Sequence, residues 1–302
     1  MASGEVVATE GAIRAQVRQF YDSVGWSQIG EGLYQNARYE DLRPVSREYI
    51  RRCHLRLGRF LPPAGRVLLD AGSGPIQYPE YLEYSRGFRY RLCLDLSHRA
   101  LTEARKRIGD HGLFVMGDVS RLPFADGAVE GAVSLHTIHH VPPEEQERAF
   151  RELYRVLGRG GRAAVVYSWG DHAPFVRWMR WPIAWAFRVV KVYQGLMSRR
   201  VSEPDVMDPF EGPASVNPVQ PSGTYTYKHD YAWVRRVLDG LPWLEIRVWR
   251  TVSTQFLRAF VHRPLLGKAC LRLLFWLEDL APHVLGRVGQ YPMILFQRPG
   301  GD

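Results

Sequence analysis

Hydrophobic positions between residues 65 and 170 alternate between two rhythms. Short apolar runs recur at Arg66–Leu69, Tyr90–Leu94, Leu113–Met116, Val129–Leu135 and Arg162–Tyr167. Each has the length of a strand buried on both faces. Between the runs, apolar residues take helical spacing. One helix is expected from Ser97 to Ile108, with Ser97 as N-cap, and another from Pro143 to Leu157, with Glu144 and Glu145 in its first turn. Proline at a helix start and acids beside the positive end of its dipole suit that placement. Gly160-Gly161 are expected to end the second helix, and a shorter helical segment is expected at Gln77–Ser85. Strands alternating with helices at this spacing predict an α/β fold built on a doubly wound parallel sheet.

The flanks follow other patterns. Residues 11–60 predict two helical segments joined by a Gly- and Tyr-rich stretch. The second, Val45–Phe60, carries Tyr49, Ile50, Cys53, Leu57 and Phe60 on one side, and Pro62-Pro63 stop it. Residues 171–228 break the rhythm, starting aromatic and basic and ending in a Pro- and Gly-rich loop, Pro204–Gly223. So long a loop in a compact domain usually has a function. A helix at Asp230–Leu238, a strand at Leu244–Val252, an apolar helix at Pro264–Leu280 and a last strand at Tyr291–Gln297 are then expected. The divisions expected are a helical cap (1–64), a core (65–170 and 229–302) and an aromatic, basic insertion (171–228).

Charge changes the picture mainly in that insertion. The chain of 302 residues has a net charge of +9, and its 46% hydrophobic and 24% charged residues are ordinary for a globular protein. From His172 to Arg200 there are six Lys or Arg and no acid, after which Glu203, Asp205, Asp208 and Glu211 reverse the sign. Were 175–199 helical, Arg177, Arg180, Arg188, Lys191 and Arg199 would share about a third of the circumference. Trp178, Trp181 and Trp185 accompany them, with Phe175, Phe187, Val190, Val192 and Met197 on the remaining surface, and Pro182 is expected to kink or split the helix. Tryptophan beside a basic stripe fits an interfacial helix at a membrane. A lid over an acceptor pocket and a dimer interface are the other readings. Leu265–Leu280, with Phe275 and Trp276, could extend the same surface.

Three cysteines, Cys53, Cys93 and Cys270, lie far apart without CxxC spacing, so neither a disulfide framework nor a zinc site is expected. The first residues, MASGEVVATEG, lack the basic and apolar regions of a secretory signal. No run approaches the roughly 20 uncharged residues that cross a bilayer. A cytoplasmic protein is expected, with membrane contact through 175–199 as the added option.

Candidate chemistry gathers at the strand ends. In Val67–Pro75, VLLDAGSGP, an apolar strand runs into Asp70, Ala71, Gly72, Ser73 and Gly74. Glycines there let backbone approach a ligand without a side chain in the way. Asp95 ends the second strand in LCLDLS, before Leu96, and Gly117-Asp118-Val119 follow the third in FVMGDVSRLPF. A carboxylate at a strand end can accept two hydrogen bonds from a vicinal diol or one from an exocyclic amine. These segments, with VEGAVSLHTIHHV and ELYRVLGRGGRAAVVY, match in order and spacing, and residues 65–170 resemble a class I S-adenosylmethionine-dependent methyltransferase of the ubiquinone/menaquinone-pathway and sterol type.

The resemblance implies a Rossmann-like seven-stranded, mostly parallel sheet with an antiparallel last strand, N-terminal helices and a helical insertion after strand five. It implies S-adenosyl-L-methionine as cofactor, Asp95 on the ribose hydroxyls, Asp118 at the adenine amine and Asp70 near the α-ammonium. It also places Tyr21, in Phe20-Tyr21-Asp22, against the cofactor, and His136 beside it. His139 and His140, at the end of strand four, are candidate bases, although positioning alone can carry methyl transfer to a good nucleophile. Ile76 stands where the family often has a third glycine, and Gln77 breaks the GxGxxG pattern of nicotinamide enzymes. No metal and no nucleic acid is expected. The acceptor implied is an apolar or amphipathic small molecule, lipid-like, prenylated or aromatic. A non-catalytic S-adenosylmethionine-binding partner protein and a nicotinamide-dependent oxidoreductase are the alternatives, and oligomeric state is left open.

Overall fold

A computed structural model describes residues 9–30, 33–198, 224–262 and 266–300. Two small elements, β1 (Gln28–Gly30) and β2 (Leu33–Tyr34), form a hairpin after α1 (Glu10–Phe20). The remaining strands are β3 (Gly65–Ala71), β4 (Phe88–Asp95), β5 (Gly112–Met116), β6 (Val129–Leu135), β7 (Leu157–Val166), β8 (Glu245–Arg250) and β9 (Tyr291–Gln297). They make one seven-stranded sheet in the order β5-β4-β3-β6-β7-β9-β8. All neighbours from β5 to β7 are parallel, and β9 runs antiparallel to both β7 and β8. The antiparallel last strand is therefore present, inserted between β7 and β8 rather than at the edge.

β3 is central, with Leu68, Leu69 and Ala71 fully buried, because helices cover both faces. On one face lie α4 (Pro143–Val156) and α6 (Tyr231–Val237), whose Phe150, Leu153 and Val234 join Val129, Ala163 and Phe296 in one core. On the other, α2 (Arg47–Arg56), α3 (His98–Ile108) and α8 (Gly267–Leu280) bring Tyr49, Cys53, Leu101 and Phe275 against Leu68, Val133 and Met293. α7 (Thr254–Phe260) and α9 (Pro282–Val288) complete the fold, with α9 packed along β8. Ser97, Asp230 and Ser253 each accept a hydrogen bond from the first turn of the helix that follows, satisfying amides the helix leaves open.

Several local expectations are corrected. Residues 79–85 form a 3-10 segment rather than an α-helix. Tyr81 and Tyr84, three apart, are both buried there, a spacing that a three-residue turn keeps in line. The helix beginning near 45 is α only to Arg56 and continues as 3-10 turn over Leu57–Phe60. Gly160-Gly161 do not end a helix: β7 already starts at Leu157, and the pairing of β6 with β7 shifts register there. Gly160, at φ +74°, gives the strand its irregular start. Pro182 does not split the insertion helix, since α5 runs unbroken from Pro174 to Ser198. Pro182 sits on the exposed side, where water can meet the carbonyl that its missing N–H leaves free.

Met179 and Ile183 form the buried side of α5, which packs on α7. Side chains from Val190 to Ser198, Lys191 included, lie outside the described residues, as do Arg199 and the loop Pro204–Gly223. No described helix is long and apolar enough to cross a membrane.

Candidate cofactor and acceptor site

The carboxyl ends of β3, β4, β5 and β6 open into a cavity of about 450 Å³, the place and size expected for a ligand in an open α/β sheet. The loop after β3 forms its floor. Gly72 has φ +77°, and a Cβ there would stand 2.2 Å from the Thr137 side chain. Gly74 has φ +55°, and a Cβ there would reach the Trp26 ring at 3.0 Å. Gly72 thus requires glycine for conformation and for space, while a Cβ at Gly74 would press on the Trp26 ring. Ile76 also takes the left-handed conformation, at φ +54°, although fully buried, and its carbonyl accepts from Arg107 Nη1 at 2.7 Å. The turn that suits a third glycine is kept here by burial of an isoleucine.

Asp95, the last residue of β4, braces this loop. Gly74 N donates to its Oδ2 at 2.9 Å and Ser97 N to its Oδ1 at 2.8 Å. Burial pushes its pKa up to about 6, against those two amides, which favour the anion. Each oxygen retains a lone pair for a further donor. Asp118 is held by Ser120 N and Oγ at 2.8 and 2.9 Å and by Arg14 Nε at 2.5 Å. Arg14 also ion-pairs with the buried Glu145, tying α1 down over the cavity.

Where α1 ends, the π-helical turn Tyr21–Gly25 aims Tyr21 inward, and such turns often occur at functional sites. The Tyr21 ring stacks on Trp26 at 5.1 Å, and its hydroxyl lies 3.0 Å from His140 Nε2. His140 Nδ1 lies 2.8 Å from the Tyr225 carbonyl, which can only accept. The Nδ1–H tautomer follows, and Tyr21 donates to Nε2. Burial lowers the His140 pKa to about 4 and the His136 pKa to about 3, and carries that of His139 well below the usual range. All three are neutral imidazoles. His136 sits at φ +55° with its ring edge-on to Trp249 and Tyr291, a strained conformation of the kind found at ligand sites. His139 Nδ1 has no hydrogen-bond partner.

The cavity brings together Tyr21, Gly72, Ser73, Gly74, Asp95, Leu96, Gly117, Asp118, Val119, His136, His139 and His140. It leaves out Asp70 and Ala71. Asp70 is buried and paired with Arg91 Nη2 at 2.5 Å and Nε at 3.1 Å. Ala71 is fully buried core. Arg177, Trp178, Arg180, Trp181, Trp185 and Arg188 also lie off the cavity wall and face solvent.

The sequence reading missed Arg14, Glu40, Lys228, Arg250 and Tyr291, which all line the cavity, as does Trp26 of the N-terminal segment. Arg250 is buried, ion-paired with Glu40, and lies over the Tyr291 ring at 4.6 Å. It also missed a strap over residues 224–229. Tyr227 N donates to His139 O at 2.8 Å, and Gln146 Nε2 donates to Tyr227 O at 2.9 Å. Thr224, Thr226 and Lys228 line the cavity while Tyr225, Tyr227 and His229 do not, the two-residue period of extended chain. That alternation stands in the sequence as TYTYKH, directly after the Pro- and Gly-rich loop Pro204–Gly223.

Comparison with known proteins gives this geometry its class. Residues 69–165 match the family described as methyltransferase domain. The ubiquinone/menaquinone biosynthesis C-methyltransferase of Roseobacter denitrificans is 35% identical over 112 residues, 35% of this chain and 43% of that protein. A malonyl-[acyl-carrier protein] O-methyltransferase of Legionella pneumophila is 32% identical over 125 residues, 41% and 43% of the respective chains. These matches span less than half of each relative's length. The structure of a geranyl diphosphate C-methyltransferase from Streptomyces coelicolor superposes with a TM-score of 0.52 at 17% identity, covering 97% of this chain and 99% of that one. At that identity it speaks for the fold alone. Residues 69–165 therefore match a methyltransferase domain, and the described chain takes the fold of class I S-adenosylmethionine-dependent methyltransferases.

Proposed function

We propose that this protein is an S-adenosylmethionine-dependent methyltransferase acting on a small molecule with an apolar or aromatic body. The observation that carries the reading is Asp95, anionic above about pH 6, held between Gly74 N and Ser97 N at the cavity rim. The residues fit the cofactor: Asp95 has lone pairs for a ribose diol, Asp118 is an acceptor for an amine, and Gly72 and Gly74 leave backbone uncovered. When bound, that cofactor supplies an electrophilic methyl group on a sulfonium.

The chain's own residues orient the partners and exclude water. Tyr21 and Trp26 close the cofactor side, and Tyr78, Tyr81, Tyr291 and His136 offer an aromatic wall to the acceptor. His140 anchors Tyr21 with both ring nitrogens engaged, so for an acceptor that must lose a proton we assign the base to His139. The segment 1–64 is read as a cap and 171–228 as an acceptor-side insertion, in a cytoplasmic protein. Calorimetric titration with S-adenosylmethionine, S-adenosylhomocysteine and NADH tests the reading. Binding of both adenosyl ligands supports it. Binding of NADH alone would overturn it, and cofactor binding without turnover of any acceptor would favour a non-catalytic partner protein.

A second reading rests on α5. Trp178, Trp181 and Trp185 are 72%, 72% and 69% exposed and fall on one stripe at three- and four-residue spacing, flanked by Arg177 and Arg188. We infer a peripheral membrane contact through this stripe. Sedimentation with anionic vesicles tests it, and wild-type protein that stays in the supernatant at low salt would sink it.

A further inference from the structure

We propose that the acceptor carries an anionic oxygen group, a carboxylate or a phosphate, which seats on Lys228 beside the hydroxyls of Thr224 and Thr226. This deepens the methyltransferase reading and rests on it. Four cationic side chains line the cavity among the described residues: Arg14, Arg18, Lys228 and Arg250. Arg14 is paired with Asp118 and Glu145, Arg18 with Asp22 and Arg250 with Glu40. Lys228 has no ion pair among the described residues, and Asp171 acts on it only through the longer-range field.

Burial lowers the Lys228 pKa, the mark of an ammonium that has lost water without gaining a counter-ion. A bound anion would restore the balance. The neighbouring groups suit the same ligand. Thr224 Oγ1 is buried without a hydrogen-bond partner, and hydroxyls donate readily to anionic oxygens. The strap's period places Thr224, Thr226 and Lys228 on the cavity side together. Its backbone is pinned through Tyr225 O, Tyr227 N and Tyr227 O to His140, His139 and Gln146, and His229 stacks on Trp233 at 3.6 Å. The three side chains thus stand on a fixed support, and orienting them costs little entropy at binding. An aromatic wall with one unpaired cation suits an amphipathic acid rather than a neutral lipid or an amine.

The test uses the full chain saturated with S-adenosylhomocysteine and four eight-carbon probes: octanoate, octyl phosphate, octanol and octylamine. Calorimetry on the wild type is expected to give the two anions at least a tenfold lower Kd than octanol, and octylamine the weakest binding. Octanoate against octyl phosphate decides which anion the site prefers. Lys228→Gln should erase the preference for anions, Lys228→Arg should keep most of it, and both should bind S-adenosylhomocysteine like the wild type, which also shows that they fold. Equal binding of octanol, no saturable binding of either anion, or a preference that survives in Lys228→Gln would each overturn the proposal. Failure of the methyltransferase reading is separate and visible: wild-type protein would then not bind S-adenosylhomocysteine at all.

Discussion

Replacing Asp95 by Asn removes one charge and keeps the side chain's size, so its effect can be worked out from two hydrogen bonds. The carboxylate accepts from Gly74 N at 2.9 Å and Ser97 N at 2.8 Å. An amide offers one oxygen and one NH2, so one of those backbone donors would face another donor. Hydrogen bonds to a charged group contribute about 1.5–3 kcal/mol each, and the cofactor would also lose its anionic acceptor. Affinity for S-adenosylhomocysteine should fall roughly 10- to 100-fold, at 1.4 kcal/mol per factor of ten. A pH series sharpens the test. Because the Asp95 pKa is about 6 in the free protein, wild-type affinity should be level above pH 6 and fall below it, whereas the Asn variant should show no such step. Stability of the ligand-free protein should move the other way. A carboxyl whose folded pKa is raised contributes stability fully present below its unfolded pKa of about 3.9 and lost as pH rises through the folded value. An unchanged Kd in the variant, with normal thermal unfolding, would remove Asp95 from the cofactor site.

Arg14→Ala should leave Glu145, with its side chain 8% exposed, facing only the more exposed Arg121, and urea unfolding should show a loss of about 1–3 kcal/mol. Gly72→Ala adds a Cβ 2.2 Å from Thr137 at φ +77°. Strain of about 1–3 kcal/mol is expected, with a weaker S-adenosylhomocysteine Kd, and wild-type values for both would show that the loop is not constrained there. At Ile76 two effects oppose each other. Ile76→Gly should relieve about 1 kcal/mol of left-handed strain but lose about 1.5–3 kcal/mol of side-chain burial, so the variant should unfold at lower urea. Trp178→Ser, Trp181→Ser and Trp185→Ser together should abolish vesicle binding while leaving thermal stability nearly unchanged, because these rings are more than two-thirds exposed.

How much could be read in advance depended on how far apart the interacting residues lie. β6 and β9 match their apolar runs, Val129–Leu135 and Tyr291–Gln297, residue for residue, since solvent-averse strands end where polar or turn residues begin. Asp95 was legible because a strand end positions it without help from distant chain. Asp70 occupies the same kind of place, yet its partner Arg91 is set by strand register, with Leu68 opposite Arg91, which no local pattern announces. Arg14 reaches Asp118 across 104 positions, a contact visible only after folding. Lys228 was hidden differently: its alternating neighbours were local, but they form a short stretch between the Pro- and Gly-rich loop and the helix from Asp230, too brief to announce an element.

His140 joins two parts of the protein that each meet a different ligand. One ring nitrogen holds Tyr21 on the cofactor side, and the other holds the strap that bears Lys228. A neutral imidazole has one donor and one acceptor, and both are in use, so neither neighbour can shift without stretching or breaking the link to the other. Occupancy of the two subsites should then be cooperative, and thermodynamic reciprocity requires the same factor in both directions. Octanoate should tighten S-adenosylhomocysteine by as much as S-adenosylhomocysteine tightens octanoate, and His140→Phe should reduce that factor towards one. Coupling of this kind would favour the ternary complex over either binary one, whichever ligand arrives first.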